Sequence, residues 1–207
     1  MKLKTITILF IVFMLLGITS CNDSTKPRAN YKIGDRGPAG GFIFYDKGNS
    51  EDGWRYLEAA PANSEFNADW GAWTGNPGTW TDMVFYDVPG TETGIGTGKR
   101  NTTLIIAKLN ELGQTGRAAQ KCVGLTLNGF SDWFLPSIDE LYLMYVNLHL
   151  EGNGDFGQGY NSDEWIWYYW SSSQNASNHA LVQIFYDGFQ YYSNECNQYR
   201  VRPCRDF

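Results

Sequence analysis

Not one lysine or arginine occurs between Cys122 and Tyr199. A stretch without positive charge offers no phosphate-neutralising surface to nucleic acid. The wider balance agrees. Without residues 1–20, which hold Lys2 and Lys4 and no acid, 14 basic residues face 22 acidic ones, a net charge near −8. That argues against nucleic acid as a partner and against a polybasic grip on anionic lipid. Long hydrophobic runs are missing as well, since the largely apolar Ile6 to Leu16 falls short of the roughly 20 residues a membrane span needs. Histidine occurs twice, as His149 and His179, with no Cys or His neighbour at metal-ligand spacing, so no metal site is expected from them. There is no Gly-x-Ser-x-Gly elbow, and Ser171, Ser172 and Ser173 read as strand residues. In Gly94-Ile95-Gly96-Thr97-Gly98-Lys99 the first glycine of a Walker loop is replaced by Thr93, and Arg100 follows the lysine. This segment therefore reads as a turn. Internal repeats are absent.

What the N-terminal end does carry is an export signal. Lys2 and Lys4 before a short apolar run have the layout of a secretory signal. The run ends in Ile18-Thr19-Ser20-Cys21, which resembles a bacterial lipobox. Residues 1–20 are expected to be removed as a lipoprotein signal peptide and Cys21 to be diacylated. The acyl chains would then anchor the protein to membrane in the cell envelope, at the outer membrane or cell surface. Residues 21–30 read as a polar tether. Residues 31–207 suit a single domain. Three cysteines remain in it, Cys122, Cys196 and Cys204, enough for at most one intramolecular disulfide, whose pairing the spacing does not choose.

Within the domain, the breaker cluster Gly37-Pro38-Ala39-Gly40-Gly41 precedes the strand Phe42–Tyr45, and Trp54–Ala59 is its expected partner. Residues 61–100 hold ten glycines or prolines among scattered aromatics, which predicts a long irregular segment. Asn101 is placed to cap a helix with the stripe Leu104, Ile105, Leu109 and Leu112, stopped by Gly113. A short helix over Arg117–Val123 and the Asn128-Gly129 turn follow. Ser137 and Glu140 form a capping box, and Leu141, Met144, Tyr145 and Leu148 continue at helical spacing to Gly152. Short strands are expected over Tyr169–Ser172, Ala180–Tyr186, Phe189–Tyr192 and Tyr199–Pro203, with a hairpin turn at Asp187-Gly188. Strands, then helices, then strands make the fold α+β, with two to three helices and long irregular loops. Trp133, Leu135, Leu141, Met144, Trp170 and Phe185 are the expected core, and Arg200 and Arg202 are read as structural ion-pair donors.

From Glu164 to Tyr199 eleven aromatics are interleaved with Ser, Asn and Gln. This composition resembles a paratope, in which Tyr and Trp give contact area at low rotamer entropy and Ser and Asn supply adaptable hydrogen bonds. Phe189, Tyr191 and Tyr192 are too many rings for one small core, so part of the set should be an exposed interaction patch. Asp155, Asp163, Glu164, Asp187 and Glu195 include residue types suited to a Ca²⁺ site or a glycosidase pair. Solvated loop acids are the preferred reading.

Four blocks, Gly37–Asp46, Gly129–Ser137 with Asp139-Glu140-Leu141, Tyr169–Ser173 and Arg200–Pro203, together resemble the Legionella collagen-like protein C-terminal domain family over most of residues 31–207. That resemblance implies a C-type lectin-like, formylglycine-generating-enzyme-like fold on a bacterial surface lipoprotein. The catalytic cysteine pair of the related enzymes and the calcium-dependent triplets of animal lectins have no match here. Some members of the family resemble targets of diversity-generating retroelements, in which adenine-containing codons of the 3′ segment are randomised. Trp170, Ser171, Ala180, Phe185, Gly188 and Arg202 read as fixed positions among such variable types. The resulting expectation is a non-enzymatic, cofactor-free binding protein whose ligand is a protein or glycan. Its expected contacts are Tyr168, Asn175, Ser177, Asn178, His179, Tyr186, Phe189, Tyr191, Tyr192 and Asn194. The alternatives are a carbohydrate-active or envelope-modifying enzyme and a structural envelope lipoprotein.

Overall fold

An apolar run released from a glycine cluster has only extended neighbours to pair with, and the first two strands meet that way. The computed structural model describes residues 30–76, 78–157 and 164–207. In it β1 (Phe42–Asp46) pairs antiparallel with β2 (Tyr56–Ala59). The glycine-rich segment is less irregular than its composition implies. It contains β3 (Phe66–Asp69), β4 (Trp73–Thr74) and β5 (Val84–Phe85). Three α-helices follow, α1 (Gly98–Glu111), α2 (Ala118–Val123) and α3 (Ile138–Met144), the last continued by a π-helical turn over Tyr145–His149. The chain closes with β6 (Tyr168–Ala176), β7 (His179–Ile184), β8 (Gln190–Asn194), β9 (Gln198–Val201) and β10 (Cys204–Asp206). The architecture is mixed α+β.

The strands form a three-stranded sheet of order β1-β2-β10, a five-stranded sheet of order β3-β9-β6-β7-β8, and the β4-β5 pair. The β6–β9 contact is parallel and the other pairings in the larger sheet are antiparallel. That sheet is covered on both faces. Trp170, Ala180, Val182 and Val201 pack with Ile105 and Leu109 of α1 and Ala118, Ala119 and Cys122 of α2. On the opposite side Tyr169 and Phe185 pack with Leu141, Met144 and Leu148, and with Phe44 and Leu57 of the small sheet. All six residues expected in the core are at most 1% exposed. Fully burying a side chain of this size is worth about 1.5–3 kcal/mol, so the centre of the sheet is strongly held.

Asn101 does not cap α1. The helix begins a turn earlier, after Thr97, and Asn101 is buried inside it. Its side chain accepts from Glu92 N at 2.9 Å and donates to Glu92 O at 2.6 Å, tying down the incoming loop. Its first residue, Gly98, lies against the Glu140 side chain, where an added Cβ would stand 2.3 Å from Glu140 Oε2. The Walker-like turn is therefore a cradle for an internal carboxylate. Gly96 N donates to Glu140 Oε1 at 2.8 Å and Ser137 N to Oε2 at 2.7 Å, the latter half of the expected capping box. Burial pushes the Glu140 carboxyl up to about 7 against these donors. The first glycine cluster does the same for buried Glu58, which accepts from Ala39 N at 3.1 Å and Gly41 N at 2.8 Å and pairs with Arg205 at 3.2 Å.

Arg200 and Arg202 are ion-paired as expected, both to Glu65, at 2.8 and 2.5 Å. Arg202 is fully buried, with its guanidinium 4.1 Å from the Phe156 ring centroid. Cys122, Cys196 and Cys204 are all free thiols. The lipidation position Cys21 and the tether up to residue 29 lie outside the described residues.

Candidate functional site

β8 is the edge strand of the larger sheet, joined to β7 by the turn Phe185–Phe189. A strand running over Ala180–Tyr186 would place Tyr186 on the side of Val182. The strand instead ends at Ile184, and the turn folds Phe185 inward and Tyr186 out to solvent. Tyr186 is 76% exposed, Phe189 70%, Tyr191 53% and Tyr192 49%. These rings do not pack into the core, because both faces of the sheet are already filled before the chain reaches its edge. Tyr191 and Tyr192 stack on each other with centroids 5.0 Å apart, and His179 meets Tyr192 edge-on at 5.3 Å. Tyr186 leans on Trp167 at 6.1 Å.

The other candidate contacts fall around this band. Ser177 and Asn178 form the β6–β7 hairpin tip, with exposed Asn175 just before it and Asn194 opposite His179. Tip and turn lie at opposite ends of β7, about 17 Å apart at roughly 3.3 Å per residue. Tyr168 does not join the band. It is half-buried on β6 among Trp165 and Tyr199, at 5.1 and 5.2 Å, where a shallow hollow of about 330 Å³ is lined by Trp165, Asn197, Gln198 and Tyr199. The candidate residues thus make one aromatic edge with a polar tip, and Tyr168 faces elsewhere.

Beside the turn runs an open groove of about 510 Å³, lined by Asp139 and Tyr142 from α3 and by Asp187, Gly188, Phe189 and Gln190. The α3 side went unnoticed in the sequence. Its one signal is Tyr142, an aromatic placed off the apolar stripe of the helix and 45% exposed. Gly188 sets the groove's depth. An added Cβ there would come 2.5 Å from the Tyr145 ring, and the residue holds φ +80°, a conformation open to glycine at no steric cost.

Of the acids weighed for catalysis or Ca²⁺, Asp155 and Asp187 are exposed. Asp163 and the side chain of Glu164 lie outside the described residues. Glu195 is not a solvated loop acid. It is fully buried, it accepts from Gln174 Nε2 at 2.7 Å, and burial pushes its carboxyl up to about 9. Among the described residues no group of three His, Cys, Asp or Glu could hold a metal ion, and no helix is long and apolar enough to cross a membrane. His149 ends the π-turn, stacked on Tyr145 at 5.6 Å, with burial lowering its pKa.

No protein-family model and no curated protein matches this sequence. Among solved structures it is similar to a fimbrial protein from Bacteroides ovatus, at 13% identity and a TM-score of 0.47, over 76% of this chain. The chain spans 37% of that protein's length. A likeness of this size carries no functional argument.

Proposed function

We propose that residues 31–207 are a non-enzymatic binding module of the C-type lectin-like kind, carried by a surface lipoprotein anchored through Cys21. Its ligand, a protein or glycan, is held on the edge formed by the β7–β8 hairpin. The observation that carries this reading is the exposure of Tyr186, Phe189, Tyr191 and Tyr192 on a hairpin whose neighbours Val182, Gln183 and Phe185 are fully buried. Monomeric proteins rarely display so many large rings together unless the patch serves an interaction. A rigid sheet presenting Tyr beside Ser and Asn is also the chemistry of an adaptable binding surface. The blocks quoted above support placement in the Legionella collagen-like C-terminal family, and with it diversification by a retroelement.

Sequencing the 3′ end of this gene from independent isolates tests the reading without knowledge of the ligand. Changes should concentrate at adenine-containing codons for exposed positions such as Asn175, Tyr186, Tyr191 and Tyr192, and spare Trp170, Ala180, Phe185 and Gly188. Changes spread evenly over buried and exposed positions would remove the diversified binder from consideration.

A further inference from the structure

The groove between α3 and the β7–β8 turn joins two exposed rings, Tyr142 and Phe189, to two carboxylates, Asp139 and Asp187. We propose that it receives an arginine side chain of a protein ligand, with the guanidinium against the two rings and the carboxylates paired to its N–H groups. This rests on the reading of the hairpin as a binding surface and narrows its ligand to protein.

Charge is the first argument. None of the ion pairs among the described residues uses Asp139 or Asp187. Among the described residues, Asp187 Oδ1 accepts only the backbone N–H of Phe189, at 3.0 Å. Asp139 opens the first turn of α3, where an acid suits the helix dipole. Its carboxyl is nevertheless held above the ordinary range by burial, with no cation among the described residues paired to it. Among the described residues the lining comes entirely from the stretch between Cys122 and Tyr199, which holds nine acids and no lysine or arginine. Any cation that balances the groove within this lining has to arrive with the ligand.

Shape decides which cation. A guanidinium is planar, is weakly hydrated, stacks on aromatic faces and bonds carboxylates through a fork of N–H groups. An ammonium matches the charge without the plane. The hydroxyls of a neutral sugar can donate to both carboxylates but leave their two negative charges unbalanced, whereas a guanidinium donates and neutralises at once.

The test is a titration of the full-length protein in detergent with acetyl-Gly-Arg-Gly-amide, followed by saturation-transfer NMR, beside the citrulline and lysine analogues. Arginine should bind best, lysine more weakly and citrulline least. Asp139→Asn and Asp187→Asn should each weaken the arginine peptide about threefold or more, the scale of one exposed charge contact. Ile33→Ser, at an exposed position outside both the groove and the hairpin, should leave it unchanged. Equal binding of citrulline, indifference to both Asp variants, or no arginine binding at tens of millimolar overturns the assignment. The isolate survey above is independent of it. Adenine-confined variation without arginine preference sinks only the groove, and arginine preference without such variation sinks only the diversified binder.

Discussion

Glu195 shows how one residue's chemistry is reversed by its place. Its ordinary value is 4.5, and burial holds the proton up to about 9, with Oε2 making no hydrogen bond. Between those values the folded protein binds a proton that the unfolded chain has released, so folding stability falls as pH rises, by up to about 1.4 kcal/mol per unit. Glu195→Gln keeps the contact to Gln174 and removes the titration. Thermal unfolding at pH 5 and pH 8 should show the variant gaining on the parent at the higher pH, and parallel profiles would show that Glu195 is ionised in the fold. Glu140 is raised by burial as well but is embedded among backbone donors. Its loss in Glu140→Ala leaves those N–H groups buried and unpaired, at a cost of about 3–5 kcal/mol in denaturant unfolding. A cost below about 1 kcal/mol would mean that water replaces the carboxylate.

At the scale of elements, β1, β2, β6 to β9, the three helices and the capping box of α3 were legible because each carries a local signal, either an apolar period or a cap, whereas β3, β4, β5 and β10 are short and carry none. The five-stranded order β3-β9-β6-β7-β8 was not. It brings residues 66–69 against 198–201, and nothing near either segment announces the other. The two glycine clusters were legible as turns, while their purpose depended on Glu58 and Glu140, 17 and 44 residues from their donors Gly41 and Gly96. The aromatic edge was legible by excess alone, through more rings than one core takes, and Tyr168 was misgrouped because half-burial beside Tyr199 leaves no mark in sequence. Trp170, central in β6 and donating through Nε1 to Ala68 O at 3.1 Å, ties the helix-covered face together. Trp170→Ala should cost about 3–5 kcal/mol, read as a lower denaturant midpoint. An unchanged midpoint would mean that this strand is displayed rather than packed.

The lipid anchor proposed at Cys21 belongs to the scale of the whole molecule. Cys21→Ser should leave an unprocessed precursor or release the protein from the membrane fraction, whereas unchanged fractionation and migration would refute lipidation. The central claim is that Tyr186, Phe189, Tyr191 and Tyr192 serve binding and contribute little to folding. It is tested most directly by the thermal unfolding of the variant carrying Ser at all four positions. Exposed substitutions shift stability by about 0.5 kcal/mol or less each, and about 1 kcal/mol moves the midpoint of a domain this size by roughly 2–4 °C. The midpoint should therefore fall by less than about 8 °C with a cooperative transition retained. A fall beyond about 15 °C, or loss of the transition, would place the four rings in the core and contradict the account.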